Sequence, residues 1–275
     1  MRRLLAICPD QGLLNALSTG LAGNDLVISG GNVEAVRRLR DLAVDVVITD
    51  PTTSVTEDLA LASELRVVRP GVKVIVLAPA TTPEEVVAAL RAQVFACFTP
   101  PFDFDEIVAM VLSALEAVDW RHGIEVVSGL PYWMTLRVSC DLLTAERLVR
   151  FMTERENSLP ERDRDLLMTA FREMLVNAME HGAGFDPGKV IEVTAARTER
   201  AIVYHFRDPG NGFDRADLAH VARTRRPEEI LDVTLEREKT GRRPGGFGML
   251  LVKQIADELV YNERGNEVLL IKHLK

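Results

Sequence analysis

Short apolar runs closed by turn residues recur through the first 120 positions, as Leu4–Cys8, Leu26–Ser29, Asp45–Thr49, Val72–Ala78 and Val94–Phe98. Between and after them lie segments of helical periodicity, Leu13–Leu21, Val33–Leu42, Glu57–Val68, Glu84–Arg91 and Phe104–Val118, flanked by Pro, Gly, Asn or Asp. Strand-like runs that alternate with helical ones predict a parallel sheet with helices on both faces. In such a sheet ligands gather at the carboxyl ends of the strands, so the residues there, Asp50 first among them, are the ones to inspect.

The pattern changes beyond residue 119. Gly123, Gly129 and Pro131 interrupt any regular period over 120–131, which reads as a linker. A strand over Trp133–Ser139 follows, then a helix near Thr144–Arg155 and a long helix from Pro160 to about His181. A strand pair, Val190–Arg197 and Ala201–Arg207, comes next. Two domains, 1–119 and 132–275, fit a length of 275 residues.

Composition narrows the class. With 47% apolar and 27% charged residues the chain reads as globular rather than disordered. Residues 1–120 hold 9 Lys/Arg against 16 Asp/Glu, and the remainder holds 24 against 25, so the acidity sits in the first half. A surface without a basic stripe is a poor match to phosphate backbones, and direct DNA binding is not expected. Pro9 and Asp10 stop the first apolar run far short of a secretory core, so a cytoplasmic protein without membrane association is expected. Cys8, Cys97 and Cys140 are widely spaced in apolar runs and read as buried thiols.

The run Asp45-Val-Val-Ile-Thr-Asp50-Pro51, together with Phe98-Thr-Pro-Pro-Phe-Asp103, resembles the receiver domains of two-component response regulators over about residues 1–119. That resemblance implies a CheY-like, doubly wound five-stranded parallel sheet, with Asp50 at the phosphoacceptor position. The surrounding parts depart from the family. Cys8 and Pro9 stand where the acidic pair belongs, with only Asp10 nearby, while Ala78 replaces the hydroxyl and Pro100 the lysine. Nothing then offsets the charge of a phosphoryl group, so Asp50 is expected to be vestigial and the domain to serve docking or dimerisation.

Three boxes follow in the second half. On the long helix, Glu173-Met-Leu-Val-Asn177 places two polar side chains four residues apart on one face, beside a core stripe of Leu167, Phe171, Met174 and Ala178. Asp208-Pro-Gly-Asn-Gly212 comes directly after an apolar strand. There a carboxylate can accept a hydrogen bond from an amino group, and Gly210 and Gly212 allow close backbone approach. Gly245-Gly-Phe-Gly248 opens the helix Met249–Ala256 after the basic stretch Lys239–Arg243, and helix amides there suit phosphate.

In this order the boxes resemble the N, G1 and G2 boxes of the Bergerat-type ATPases, and Leu136–Gly182 resembles their anti-sigma-factor serine kinase branch. No dimerising histidine helix precedes the boxes. The resemblance implies an α/β class overall, with a two-layer α/β sandwich like the histidine kinase ATPase domain in the second half. It implies ATP and Mg²⁺ as cofactors. Glu173 would be the base toward an acceptor hydroxyl, Asn177 the Mg²⁺ ligand and Asp208 the adenine anchor. Gly210 and Gly212 would pass close to the base, Gly245, Gly246 and Gly248 would face the phosphates, and Arg242 and Arg243 would add charge there. The charged stretch Arg215–Pro244 would be a lid, and Asn266 stands where the family has a threonine near the adenine. The implied partners are a STAS-type antagonist of an anti-sigma factor, a sigma factor, or both, with a homodimer left open. Two alternatives remain at this point: an ATP-dependent sequestering module without transfer, and a histidine kinase catalytic unit acting on another chain.

Overall fold

The computed structural model describes residues 2–7, 10–21, 23–118, 120–212 and 247–274. Two compact units emerge: Met1–Glu125 with Arg150–Ser158, and Val126–Val149 with Leu159–Lys275. Among the described residues no helix is long and apolar enough to cross a membrane.

In the first unit β1 (Arg3–Ala6), β2 (Asp25–Ile28), β3 (Val46–Ile48), β4 (Lys73–Leu77) and β5 (Ala96–Phe98) form a parallel sheet in the order β2-β1-β3-β4-β5. The central strand β3 is apolar and buried at every position because helices cover both faces, which is why it reads as a continuous run rather than an alternation. The helices are α1 (Gln11–Gly20), α2 (Asn32–Asp41), α3 (Val55–Val68), α4 (Pro83–Arg91) and α5 (Phe104–Glu116). Their starts are fixed by side chains. Asp10 accepts from Leu13 N–H at 2.8 Å, Ser54 with Glu57 and Thr82 with Glu85 form capping boxes, and Asp103 accepts from Asp105 and Glu106 N–H. The box at Ser54 explains why α3 begins two residues ahead of the apolar periodicity. Cys97 is fully buried, and burial pushes its thiol up.

The second unit carries a sheet in the order β10-β11-β9-β8-β7-β6. Its strands are β6 (Ile124–Leu130), β7 (Trp133–Ser139), β8 (Val190–Arg197), β9 (Ala201–Arg207), β10 (Glu258–Tyr261) and β11 (Glu267–His273), with β7 to β11 paired antiparallel. The stretch 120–131, expected as a linker, thus contains a strand; its glycine and proline mark the end of β6 rather than an absence of structure.

Inward and outward positions alternate. Ile202, Tyr204 and Phe206 of β9 are buried, while Val203 and His205 between them are half-exposed and Arg207 is exposed. Helices α6 (Leu142–Arg155), α7 (Glu161–Asn177) and α8 (Phe247–Ile255) complete the unit, although Arg150–Ser158 at the end of α6 cluster with the first one. The apolar stripe of α7 packs on the inner sheet face, with Phe171 at 4.8 Å from Tyr204 and 5.2 Å from Phe206 between ring centroids. Leu167 and Met174 are buried as expected, whereas Ala178 is only half-buried because the helix changes character there.

The long helix expected to reach His181 is α-helical only to Asn177; Ala178–Ala183 form a π-helical turn closed by Gly184 in the left-handed region, φ 69°. Cys140 is buried and its thiol is pushed up to about 11, chiefly by burial.

Candidate functional site

The site is assembled from the end of α7, the turn after β9, the loop before β11 and the first turn of α8. Glu173 and Asn177 lie one α-turn apart near the C-terminal end of α7, both half-buried, as a spacing of four on a helix requires. Gly248 in the first turn of α8 is pressed against Glu173, so that a Cβ there would stand 2.1 Å from Glu173 Oε2. Helix α8 is held in place by buried Val252 and Ile255 and by the Tyr261 hydroxyl of β10, which donates to Met249 Sδ at 3.6 Å.

The π-helical turn delivers Gly182 to Asp208. A Cβ on Gly182 would lie 2.2 Å from Asp208 Cγ, and one on Gly210 would lie 2.7 Å from Asp208 Oδ1 and 2.9 Å from Gly182 Cα. Only glycines let three backbones close around this carboxylate. Asp208 Oδ1 accepts from Gly210 N–H at 2.8 Å, and its Oδ2 makes no hydrogen bond among the described residues. Burial raises the pKa of Asp208, opposed by the Gly210 N–H and by the charges of Arg264 and His181. Gly212 sits at φ 77°, where a Cβ would meet the Arg264 carbonyl oxygen at 1.8 Å.

Asn266, buried, locks this turn to β11. Its Nδ2 donates to the Asp208 carbonyl at 3.2 Å, its carbonyl accepts from Asp208 N–H at 3.0 Å, and its Oδ1 accepts from Asn262 Nδ2 at 2.9 Å. Asn262 Oδ1 in turn accepts from Gly265 N–H at 2.7 Å and Asn266 N–H at 3.1 Å. Asn266 therefore acts on Asp208 through the backbone.

The sequence thus brings Glu173, Asn177 and Gly248 into one neighbourhood, and Asp208, Gly210 and Gly212 into another, joined by the turn after Asn177. Arg242, Arg243, Gly245 and Gly246, and the lid expected over Arg215–Pro244, lie outside the described residues. Gly182 and Asn262 were not singled out from sequence. A glycine one turn past Asn177 and an asparagine four before Asn266 are the signals, but neither has meaning until the chain folds. The residues fit a nucleotide with its metal: a half-buried carboxylate with one oxygen that makes no hydrogen bond among the described residues, glycine-lined approaches that any Cβ would fill, and an amide oxygen on Asn177 as a neutral hard donor.

The histidine kinase-like ATPase domain model matches residues 140–272, a span that holds every one of these groups. That match spans just under half of the chain. A match of this kind implies ATP binding.

The chain is 33% identical over 135 residues to the transcriptional regulatory proteins GlrR of Escherichia coli K12 and QseF of Escherichia coli O157:H7. Those matches cover 46% of this chain but only 30% of the relatives' length. Among solved structures, a receiver domain protein from Methanospirillum hungatei JF-1 matches at 19% identity and TM-score 0.37, covering 42% of this chain and 94% of its own. A response regulator from Thermotoga maritima matches at 20% and 0.37, covering 42% and 99%.

Asp50 Oδ1 accepts from Thr52 N–H at 2.8 Å and from its hydroxyl at 2.7 Å, a local turn. Asp10 caps α1, Ala78 is fully buried, and Cys8 and Pro9 lie outside the described residues. Asp58, buried, accepts from the hydroxyls of Thr49 at 2.8 Å and Thr53 at 2.7 Å, and burial raises its pKa to about 6.

Proposed function

We propose that the chain is an ATP-dependent protein kinase that phosphorylates a serine or threonine hydroxyl on a partner protein, with the first unit as a pseudo-receiver that regulates or docks. The observation that carries the reading is the seating of Gly248, in the first turn of α8, directly on the Glu173 carboxylate. A base held at a helix N-terminus sits where an anionic phosphoryl group is favoured, so acceptor and donor can meet there.

In this reading Glu173 takes the proton of the acceptor hydroxyl, and Asn177 offers its amide oxygen to Mg²⁺. Asp208 Oδ2 receives the adenine amino group, while Gly182 and Gly210 keep the approach narrow. ATP supplies the γ-phosphoryl group, and Mg²⁺ offsets charge on its oxygens. Gly245, Gly246, Arg242 and Arg243 would serve the phosphates. The partner class is a small STAS-type antagonist of an anti-sigma factor, with a sigma factor as a second binding partner.

The test is transfer from γ-labelled ATP in the presence of Mg²⁺ to purified STAS proteins, with acid treatment of the product. Acid-stable label on the partner supports a hydroxyl acceptor. Acid-labile label assigns a histidine kinase unit, and retained nucleotide without labelled partner assigns a sequestering module.

A further inference from the structure

Helix α6 belongs to both units: its start lies in the second, and Arg150–Ser158 cluster with the first. One face of it carries charges four residues apart, Glu146, Arg150 and Glu154, so neighbours in that row stand about 6 Å apart along the axis. Glu154, 1% exposed, is held at the carboxyl end of β5. Its carboxylate accepts from Thr99 N–H at 3.2 Å and from the Thr99 hydroxyl at 2.6 Å, and it pairs with Arg150. Arg150 Nη1 also donates to both oxygens of Glu106 on α5 at 3.0 Å, and its guanidinium lies over the Phe98 ring, 4.8 Å from the centroid.

In the second unit Arg172 of α7 is shared between two carboxylates. Its guanidinium stands 3.9 Å from Glu146 Oε1 and 4.0 Å from Glu173 Oε1, beyond hydrogen-bonding reach of either. Among the described residues no ion pair joins Glu146 to Arg150, although a glutamate four residues ahead of a basic residue is the favourable order on a helix. Arg150 thus has a carboxylate one turn away that it does not use, while Arg172 has two that it holds loosely.

We propose, on the reading of Glu173 as the base, that the first unit regulates that base through these charges. While Glu106 and Glu154 hold Arg150, Glu146 is left to draw Arg172 away from Glu173. When that hold is lost, Arg150 turns back one turn to Glu146, and Arg172 settles on Glu173 alone. A guanidinium seated on a carboxylate favours its ionised form and blunts its capacity to take a proton. Arg172 and Glu146 are therefore positioning residues, and the input needs no phosphoryl group on Asp50. A passive anchor at Glu154 would also stiffen α6, but its loss would be felt whether or not Arg172 is present.

The full chain with Glu106→Gln and Glu154→Gln together loses both charges around Arg150 and keeps their shape. Its kcat for transfer from Mg-ATP to the partner should fall about three- to tenfold with the KM for ATP unchanged, and Glu146→Gln alone should do the same. In an Arg172→Gln background neither change should alter kcat by more than about twofold, because the group that reaches Glu173 is gone. A loosened helix cannot be cured that way. Nitrogen-15 NMR of the arginine side chains reads the same switch without transfer. The Arg172 Nε–H signal, identified by its loss in Arg172→Lys, should shift in the double variant and in Glu146→Gln alike. A native chain that transfers no label removes the kinase reading, and the Arg172 signal still decides whether the charges are coupled. An unmoved Arg172 signal overturns the proposal, and so does a loss of transfer that persists in the Arg172→Gln background.

Discussion

Replacing Gly248 with alanine puts a methyl carbon 2.1 Å from Glu173 Oε2 and 2.8 Å from its Cδ. Carbon and oxygen cannot share that space, and the carboxylate must retreat by about 1 Å or more to reach ordinary contact. The retreat is easy for the fold because the crowded atom is the far end of a flexible side chain. Alanine in place of glycine in a helix adds roughly 0.5–1 kcal/mol of stability, so the melting temperature should hold or rise. Transfer should respond in the opposite sense, since a misplacement of ~1 Å at a reacting group slows chemistry by about a hundredfold.

The assay is phosphoryl transfer from labelled ATP to the partner, run beside nucleotide titration calorimetry and thermal unfolding. In a Glu173→Ala background the same change should add little, because both substitutions remove one function. A rate within about threefold of the native one, where a loss near a hundredfold is expected, refutes the placement of Glu173 as the base.

Glu173→Ala should itself slow transfer by about 10²–10⁴-fold with nucleotide affinity largely kept, and equal losses in rate and binding speak against a base. Asp208→Asn should weaken ATP binding by about 1.5–3 kcal/mol in calorimetry, the worth of a charged hydrogen bond. Gly212→Ala should lower stability by about 2–4 kcal/mol in urea unfolding, from a side chain at φ 77° driven into the Arg264 carbonyl. Asp58 has its pKa raised from 3.8 to about 6, so the folded state holds its proton more tightly than the unfolded chain does. Its stabilising contribution is complete below about pH 4 and is lost as pH rises through 6, a loss of up to ~3 kcal/mol. Thermal unfolding of the native chain against Asp58→Asn between pH 4 and 7 measures it, and identical pH profiles would remove Asp58 as the cause.

Much of the architecture was legible because its signals are local. Trp133–Ser139, Val190–Arg197 and Ala201–Arg207 are strands with the expected bounds, since alternation on a half-exposed sheet leaves a clear period. Helix starts in the first unit shifted by up to two residues where Ser54 or Asp10 caps them, an effect that apolar periodicity does not carry. Strand β6 was hidden because Gly129 and Pro131 read as interruption, while pairing with β7 decides the matter. The pairing of Glu173 with Asn177 follows from helical spacing alone. The contacts of Gly182 with Asp208 and of Asn262 with Asn266 depend on where distant segments meet, and no local pattern encodes that.

The widened turn over Ala178–Ala183 has a consequence for how such a chain can change. A π-type turn holds one residue more than an ordinary helical one, and each residue rotates the chain by about 100°. Deleting a single position there would let the helix close normally and swing its last residues away from the carboxylate they now embrace. The count of residues between Asn177 and Gly182 sets how the two halves of the candidate site meet.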